Sequence, residues 1–239
     1  MTDLAWEDIT GPADSPFLLI ADHASNRVPA SIDLGIADDL LQTHIAIDIG
    51  VAALGRALCA TLGCPGILGH VSRLVVDLNR EEDAAHIIPS DSDGHPIPGN
   101  ALSAAARQAR IDQYWRPYHD RVAAQIAAQQ PKLLISLHSF TPQLSTRPDE
   151  ARPWQIGILY NQDDRAARQA IPALSALGLC VGDQQPYSGK LLNATMNRHG
   201  EANGIAYLGI EMRQDLISDA AGVAHWCATL APVISGLSL

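Results

Sequence analysis

Four stretches of the chain place histidine, glutamate and arginine at the ends of apolar runs, where they could bind a metal and move a proton. Asp22-His-Ala-Ser-Asn-Arg27 follows the apolar run Pro16-Phe-Leu-Leu-Ile-Ala21, and Ser72-Arg-Leu-Val-Val-Asp-Leu-Asn-Arg80 closes a β-branched segment. Ile135-Ser-Leu-His-Ser-Phe-Thr-Pro142 and Ala206-Tyr-Leu-Gly-Ile-Glu-Met-Arg213 complete the set. A buried strand delivers one group to the lip of a sheet in this way, and open α/β sheets bind ligands at the carboxyl ends of their strands. His23 and His138, supplied by different strands and joined by an acidic residue, suit a catalytic zinc with an open position. A glutamate such as Glu211 would then serve as general base. Arginines at the same strand ends, Arg80 and Arg213, would pair with a substrate carboxylate through bidentate hydrogen bonds. There is no contiguous His-Glu-x-x-His signature, so these groups must be brought together by the fold.

The elements that would position them alternate between strand and helix patterns. Gly66–Gly69 and Trp154–Tyr160 read as further strands, and the Ala/Leu-rich Val51–Leu62 reads as a helix. Asp38–Leu41 opens another probable helix. His44 and Asp48 lie four apart, on one face if a helix includes them. Asp48 also fits a simpler role, a carboxylate near a helix start favoured by the backbone dipole. Ser103–Gln129 is the clearest helical pattern, with Ser103 as N-cap, Pro117 as a kink, and His119 as a partly buried helix histidine. Arg165–Leu177 reads as helical, and Asp215 or Ser218 opens a terminal helix through Leu230. The polar stretch from Glu81 to Asn100, rich in Asp, Pro and Gly, is long enough to suggest a substrate lid. The expected fold class is α/β: one domain over residues 1–239, three-layer α/β/α, with a mixed, mostly parallel central sheet.

Composition narrows the function. Of 239 residues, 47% are hydrophobic and 18% charged, which permits a large core and argues against disorder. The formal net charge of −10, with no two basic residues adjacent, speaks against nucleic acid or an anionic membrane as partner. No apolar run approaches the roughly 20 residues that span a bilayer. The start Met-Thr-Asp-Leu-Ala-Trp-Glu-Asp has no basic n-region, so a cytoplasmic location is expected. Cys59, Cys64, Cys180 and Cys227 form no Cys-x-x-Cys pair and are expected to be reduced thiols. Nine histidines against two phenylalanines make a metal or acid/base site worth seeking.

His23-Ala-Ser-Asn-Arg, Val76-Asp-Leu-Asn-Arg80, Ser136-Leu-His-Ser-Phe140 and Ile210-Glu-Met-Arg213 resemble, in order, the active-site stretches of zinc carboxypeptidases and aspartoacylase-type deacylases. The chain is most similar to the N-formylglutamate amidohydrolase family, from about Phe17 to Leu216, including His44–Gly50 and the Tyr187-Ser-Gly189 loop. The resemblance implies the phosphorylase/hydrolase-like fold of zinc carboxypeptidases and Zn2+ as cofactor. It also implies a small N-acyl derivative of an acidic amino acid as substrate. His23 and His138 match the histidine ligands, while Asn79 and Arg80 match the pair that holds the substrate's carboxylate and carbonyl oxygens. Arg73 is near the position of a second such arginine. Glu211 matches the glutamate that activates water and protonates the leaving nitrogen. The broader group has Glu three residues after the first histidine, where this chain has Asn26. A neutral amide is a poor zinc ligand beside a carboxylate, so the third ligand is expected to be Asp48. Pocket loops such as Glu81–Asn100 set the acyl group, which leaves open a deacylase or peptidase of another N-acyl substrate, and Asn26 leaves open a metal-free protein that binds acidic amino acids.

Overall fold

The computed structural model describes residues 4–239, so Met1 to Asp3 of the acidic lead lie outside the described residues. The described residues form nine strands: β1 (Trp6–Ile9), β2 (Phe17–Ala21), β3 (Gly66–Gly69), β4 (Asp91–Ser92), β5 (His95–Pro96), β6 (Leu133–Phe140), β7 (Ile156–Leu159), β8 (Val181–Asp183) and β9 (Ala206–Arg213). The helices are α1 (Val51–Leu62), α2 (Ala104–Arg110), α3 (Arg116–Gln129), α4 (Ala167–Ala176), α5 (Ala194–His199) and α6 (Ala220–Ser235). A π-helical turn, Ile111–Trp115, joins α2 to α3. No helix among the described residues is long and apolar enough to cross a membrane.

Seven strands form one mixed sheet in the order β1-β3-β2-β6-β9-β7-β8. Neighbours from β3 to β9 are parallel, β1 and β7 pair antiparallel with β3 and β9, and β8 is parallel to β7. From β2 the chain crosses through α1 to β3 on one side. It later returns, through α2 and α3, to β6 on the other side. Right-handed crossovers in opposite directions cover opposite faces, which leaves a crevice between the carboxyl ends of β2 and β6.

The period of two along each strand sorts the core into two layers. Leu19, Ile135, Leu137, Leu208 and Ile210 pack with Leu54, Leu58, Leu174, Trp226 and Leu230 of α1, α4 and α6. Leu18, Ile20, Leu134 and Tyr207 face the other way, against Ile111, Tyr114, Tyr118 and Val122. Along β6 the second face continues as Ser136 and His138; along β9 it continues as Gly209 and Glu211. His138 and Glu211 are register partners on adjacent strands. Alternation and register therefore set them side by side on one face.

β2, β6 and β9 form where their apolar runs predict strands, and Ser103 caps α2 by accepting from the Ala106 N–H. The segment Ser72–Arg80 is different. It forms turns and open backbone in place of a strand, although Leu74, Val75, Val76 and Leu78 are all buried. Ser72 holds it in that shape, its Oγ donating to the Ala46 carbonyl and accepting from the Leu74 N–H. His44 and Asp48 lie in turns ahead of α1, and the terminal helix is capped by Asp219, whose side chain accepts from Gly222 N–H.

Gly69, the last residue of β3, lets the chain pass close to the exit of β2. A Cβ there would lie 2.0 Å from the Asp22 carbonyl oxygen, too close for either backbone to accommodate unmoved. Gly69→Ala is expected to destabilise the fold by about 1–3 kcal/mol, as overpacking does, and to lower the urea unfolding midpoint. An unchanged midpoint would show that β3 and the Asp22 turn have slack.

Candidate metal centre and active site

At the crevice, His23 follows β2, His138 lies on β6, Glu211 lies on β9, and Asp48 comes from the turn before α1. All four are buried. The Asp48 Oδ2 lies 3.0 Å from His138 Nδ1 and 3.4 Å from His23 Nδ1, so three potential ligand atoms converge. One atom from each of His23, Asp48 and His138 can be chosen with all three within 4.8 Å of one another. Among the described residues these are the only three His, Cys, Asp or Glu side chains so grouped.

A carboxylate stands behind each histidine. His23 Nε2–H donates to Asp77 Oδ1 at 2.7 Å, and because a carboxylate only accepts, this fixes the tautomer and leaves Nδ1 aimed at Asp48. Asp22 Oδ2 lies 3.3 Å from His138 Nε2, and its other oxygen accepts from Tyr118 OH (2.7 Å) and Thr195 Oγ1 (3.0 Å). Arg73 bridges two of the carboxylates, donating to Asp48 Oδ1 at 3.1 Å and Asp77 Oδ2 at 3.2 Å. The arrangement of histidine with an outer carboxylate is that of metal-ligating imidazoles.

The protonation equilibria follow from these contacts. Burial opposes ionisation of Asp48 and Asp77, but His23 beside both, with His138 at Asp48 and Arg73 at each, holds them far below the usual carboxylate range. Burial likewise opposes a charge on His138, and the Asp22 and Asp48 carboxylates outweigh it, pushing the pKa well above its usual value. A field that holds protons on buried imidazoles favours cations, and a divalent metal would displace those protons on binding. His23 Nδ1 and Glu211 Oε2 are buried without a hydrogen-bond partner among the described residues. The donor set, two imidazoles and a carboxylate, fits a zinc-type ion.

Glu211 behaves differently from the three aspartates. Burial raises its pKa to about 7, with Asp48 adding to the rise and His138 and Arg73 opposing it. It lines a cleft of about 160 Å³ together with His23, His138, Asn79 and Arg80. Arg80 keeps its Nε 3.6 Å from Asp77 Oδ2, and among the described residues its side chain makes no hydrogen bond. Asn79 accepts from Thr195 N–H through Oδ1, which leaves its Nδ2 without a protein acceptor among the described residues.

Arg213 is placed elsewhere. It pairs with Asp215 and reaches toward the Pro153 carbonyl, and it does not line the cleft. Asn26 donates to the Leu41 carbonyl at 2.9 Å and takes no part in the triad. The stretch from Glu81 to Asn100 forms the wall of an outer chamber of about 330 Å³ that shares Arg73 and Arg80 with the cleft. It is tied down: Asp93 accepts from Ser145 N–H, Thr146 N–H and His44 Nε2–H, and Asn100 donates to the carbonyls of Leu74 and Pro89. Asp22 and Asp77, given no role from the sequence, lie inside stretches that were: Asp22 directly precedes His23, and Asp77 precedes Leu78-Asn-Arg80. Tyr187, which lines both chambers, accepts from Arg152 at 3.1 Å.

A mixed α/β sheet with a histidine–carboxylate triad, an acid of raised pKa and, at its switch point, an arginine whose side chain makes no hydrogen bond among the described residues defines a candidate metallohydrolase centre. The chain belongs to the N-formylglutamate amidohydrolase family, whose model matches residues 15–218. It is 26% identical over 176 residues to an N-formylglutamate deformylase from Pseudomonas aeruginosa. That match covers 67% of this chain and 64% of the relative, so it spans under two thirds of the relative's length. A crystal structure of a gene product from Agrobacterium tumefaciens superposes with a TM-score of 0.92 at 31% identity, covering 97% of this chain and 94% of that one. An N-formylglutamate amidohydrolase from Ralstonia eutropha shares the fold, with a TM-score of 0.73 at 21% identity and coverage of 95% and 94%.

A second histidine pair lies behind the cleft and gives a pH dependence that can be measured. His119 Nδ1 and His199 Nε2 are 2.9 Å apart and buried, and burial depresses their pKa values to about 3 and about 4. The unfolded chain takes up these protons first, near 6.5, so the stability they contribute is intact above that pH and declines as pH falls toward 4 and 3. Each contributes a slope of up to about 1.4 kcal/mol per pH unit in that window. The double substitution His119→Gln, His199→Gln is expected to flatten the loss of unfolding free energy between about pH 7 and about pH 5 relative to wild type. Equal slopes would show that the pair is already charged in the fold.

Proposed function

We propose that the protein is a zinc-dependent amidohydrolase that removes a formyl or small acyl group from the nitrogen of an acidic amino acid, with N-formylglutamate as the type substrate. The observation that carries this reading is the convergence of His23, Asp48 and His138 beside Glu211, an acid poised near pH 7. The family match and the similarity to the Pseudomonas aeruginosa deformylase support it.

His23, Asp48 and His138 would hold the metal, with Asp77 and Asp22 orienting the two imidazoles. Bound there, the ion would supply a Lewis acid for the amide carbonyl and lower the pKa of water toward about 7. Glu211 would accept a proton from the attacking water and return it to the leaving nitrogen, so that the C–N bond breaks to give formate and the free amino acid. A pKa near 7 suits a group that must do both. Arg80, with its guanidinium free of protein hydrogen bonds among the described residues, would hold the substrate's carboxylate or carbonyl oxygen, with Asn79 Nδ2 beside it. Arg73, already bridging Asp48 and Asp77, would act mainly to fix those carboxylates.

The direct test is formate release from N-formylglutamate by the zinc-reconstituted protein, with bound metal measured in parallel. Turnover is expected, and its absence in a zinc-loaded sample would refute the proposal. Glu211→Gln should lower kcat by at least about 100-fold, the scale of general acid–base catalysis, while metal content stays at the wild-type level. Undiminished turnover would remove Glu211 from its role. Asp77→Asn should weaken zinc affinity by about 10- to 100-fold, the usual effect of losing a carboxylate behind a ligating histidine, as read by competition with a chelating dye.

A further inference from the structure

Beside the local bond from Asn79 N–H to Asp77 Oδ1, hydrogen bonds from Trp115, His119 and Thr195, none of which lines the cleft, hold the peptide segment that carries Asn79 and Arg80. The segment Leu78–Arg80 has no regular structure, so its shape depends on where its own polar groups find partners. Trp115 Nε1–H donates to the Arg80 carbonyl at 3.0 Å. His119 Nε2–H donates to the Leu78 carbonyl at 3.0 Å. Thr195 N–H, at the start of α5, donates to Asn79 Oδ1 at 3.0 Å. From this geometry we infer that Trp115 and His119 are positioning residues for substrate, acting through the backbone of Leu78-Asn79-Arg80. The inference rests on the reading above, in which Asn79 and Arg80 hold the substrate's oxygens.

The local helix geometry fits such a role. Trp115 ends the π-turn as the N-cap of α3, His119 lies in the first turn of α3, their ring centroids are 4.1 Å apart, and both residues are buried. The π-turn Ile111–Trp115 ends on Trp115 and precedes His119. Ile111 and Tyr114 fill the core while the next turn faces the loop. Such turns often occur at functional sites. Each donor is itself held from behind. The Leu78 carbonyl can only accept, so His119 carries its proton on Nε2, and Nδ1 takes the proton of His199 Nε2–H at 2.9 Å. The Arg198 guanidinium lies 4.7 Å from the Trp115 ring centroid, a cation–π contact from the same helix, α5, that supplies Thr195 and His199. Helices α3 and α5 therefore grip the loop from two sides.

The test separates placement from folding. Trp115→Phe keeps an aromatic ring beneath Arg198 but removes the N–H. With N-formylglutamate it is expected to raise KM about tenfold, the order expected when a positioned contact is displaced, with kcat within about threefold and zinc content unchanged. His119→Leu should act the same way, whereas His119→Gln, whose Nε2 can reach the same carbonyl, should restore most of the wild-type KM. In an Arg80→Ala background, Trp115→Phe should add nothing further to KM, because the group it positions is gone. Unchanged KM in Trp115→Phe and His119→Leu would overturn the inference. So would a proportional loss of kcat and zinc, or additive effects with Arg80→Ala. Absence of wild-type turnover would overturn the proposed function and this inference with it. Wild-type turnover with unchanged KM in the variants overturns this inference alone.

Discussion

The constraint on which the site depends is the burial of four carboxylates, Asp22, Asp48, Asp77 and Glu211, around two imidazoles. Burying an ion costs several kcal/mol unless partners replace its water. Among the described residues Arg73 is the one guanidinium that bridges the cluster by hydrogen bonds, and it satisfies one oxygen each of Asp48 and Asp77. The remaining negative charge has to be met by positive charge inside the cluster, either as protons on His23 and His138 or as a bound cation. The pKa shifts follow that balance. Asp48 and Asp77, each reached by Arg73, stay ionised, while Glu211, with an oxygen that has no donor among the described residues, becomes the group that takes a proton. Environments that push neighbouring acids apart in this way separate structural carboxylates from one able to transfer protons.

Topology explains why the cluster forms where it does. The chain leaves β2 toward β3 on one side and comes back to β6 on the other, so no crossover covers the crevice between β2 and β6. His23 leaves the sheet at one edge of that crevice, and His138 and Glu211 are paired in register at the other. Glycines at the close approaches serve the same placement. A side chain at Gly69 would collide with the Asp22 backbone, and one at Gly157, the cross-strand partner of Glu211, would lie 2.1 Å from the Gln185 carbonyl oxygen.

The central strands were legible because each is a short apolar run ending abruptly in polar residues. β2, β6 and β9 are of this kind, and their ends were the signal that located His23, His138 and Glu211. The same rule misread Ser72–Arg80. Its β-branched, apolar residues are buried as a strand's would be, but they are buried by turns packed under the α2–α3 layer. Hydrophobic pattern reports burial, and only hydrogen-bond partners distinguish a strand from a buried loop. The edge strands β1, Trp-Glu-Asp-Ile, and β8, Val-Gly-Asp, carry no apolar run to stand out as a pattern. Arg213 illustrates the limit on side-chain direction. Alternation puts it on the Glu211 face, but at the strand's last position Asp215, two residues on, captures it.

The carboxylate beside the two histidines shows what kind of information a sequence lacks. Asn26 lies three residues after His23, where the broader group carries a glutamate, and the turn after β2 takes it away to the Leu41 carbonyl. Asp48 arrives from a separate turn whose backbone N–H donates to the His23 carbonyl at 3.0 Å, so the main chain itself brings that carboxylate to the imidazole. Asp77 reaches His23 from 54 residues away, and Asp48 reaches His138 from 90. Such pairings come from loops with no periodicity, where the polar groups that fix the backbone are the evidence for its shape. A carboxylate behind a histidine is therefore best sought among the aspartates that border a candidate ligand stretch, as Asp22 borders His23 and Asp77 borders Asn79 and Arg80. At those positions the buried backbone already needs an acceptor, as the bond from Asn79 N–H to Asp77 Oδ1 shows.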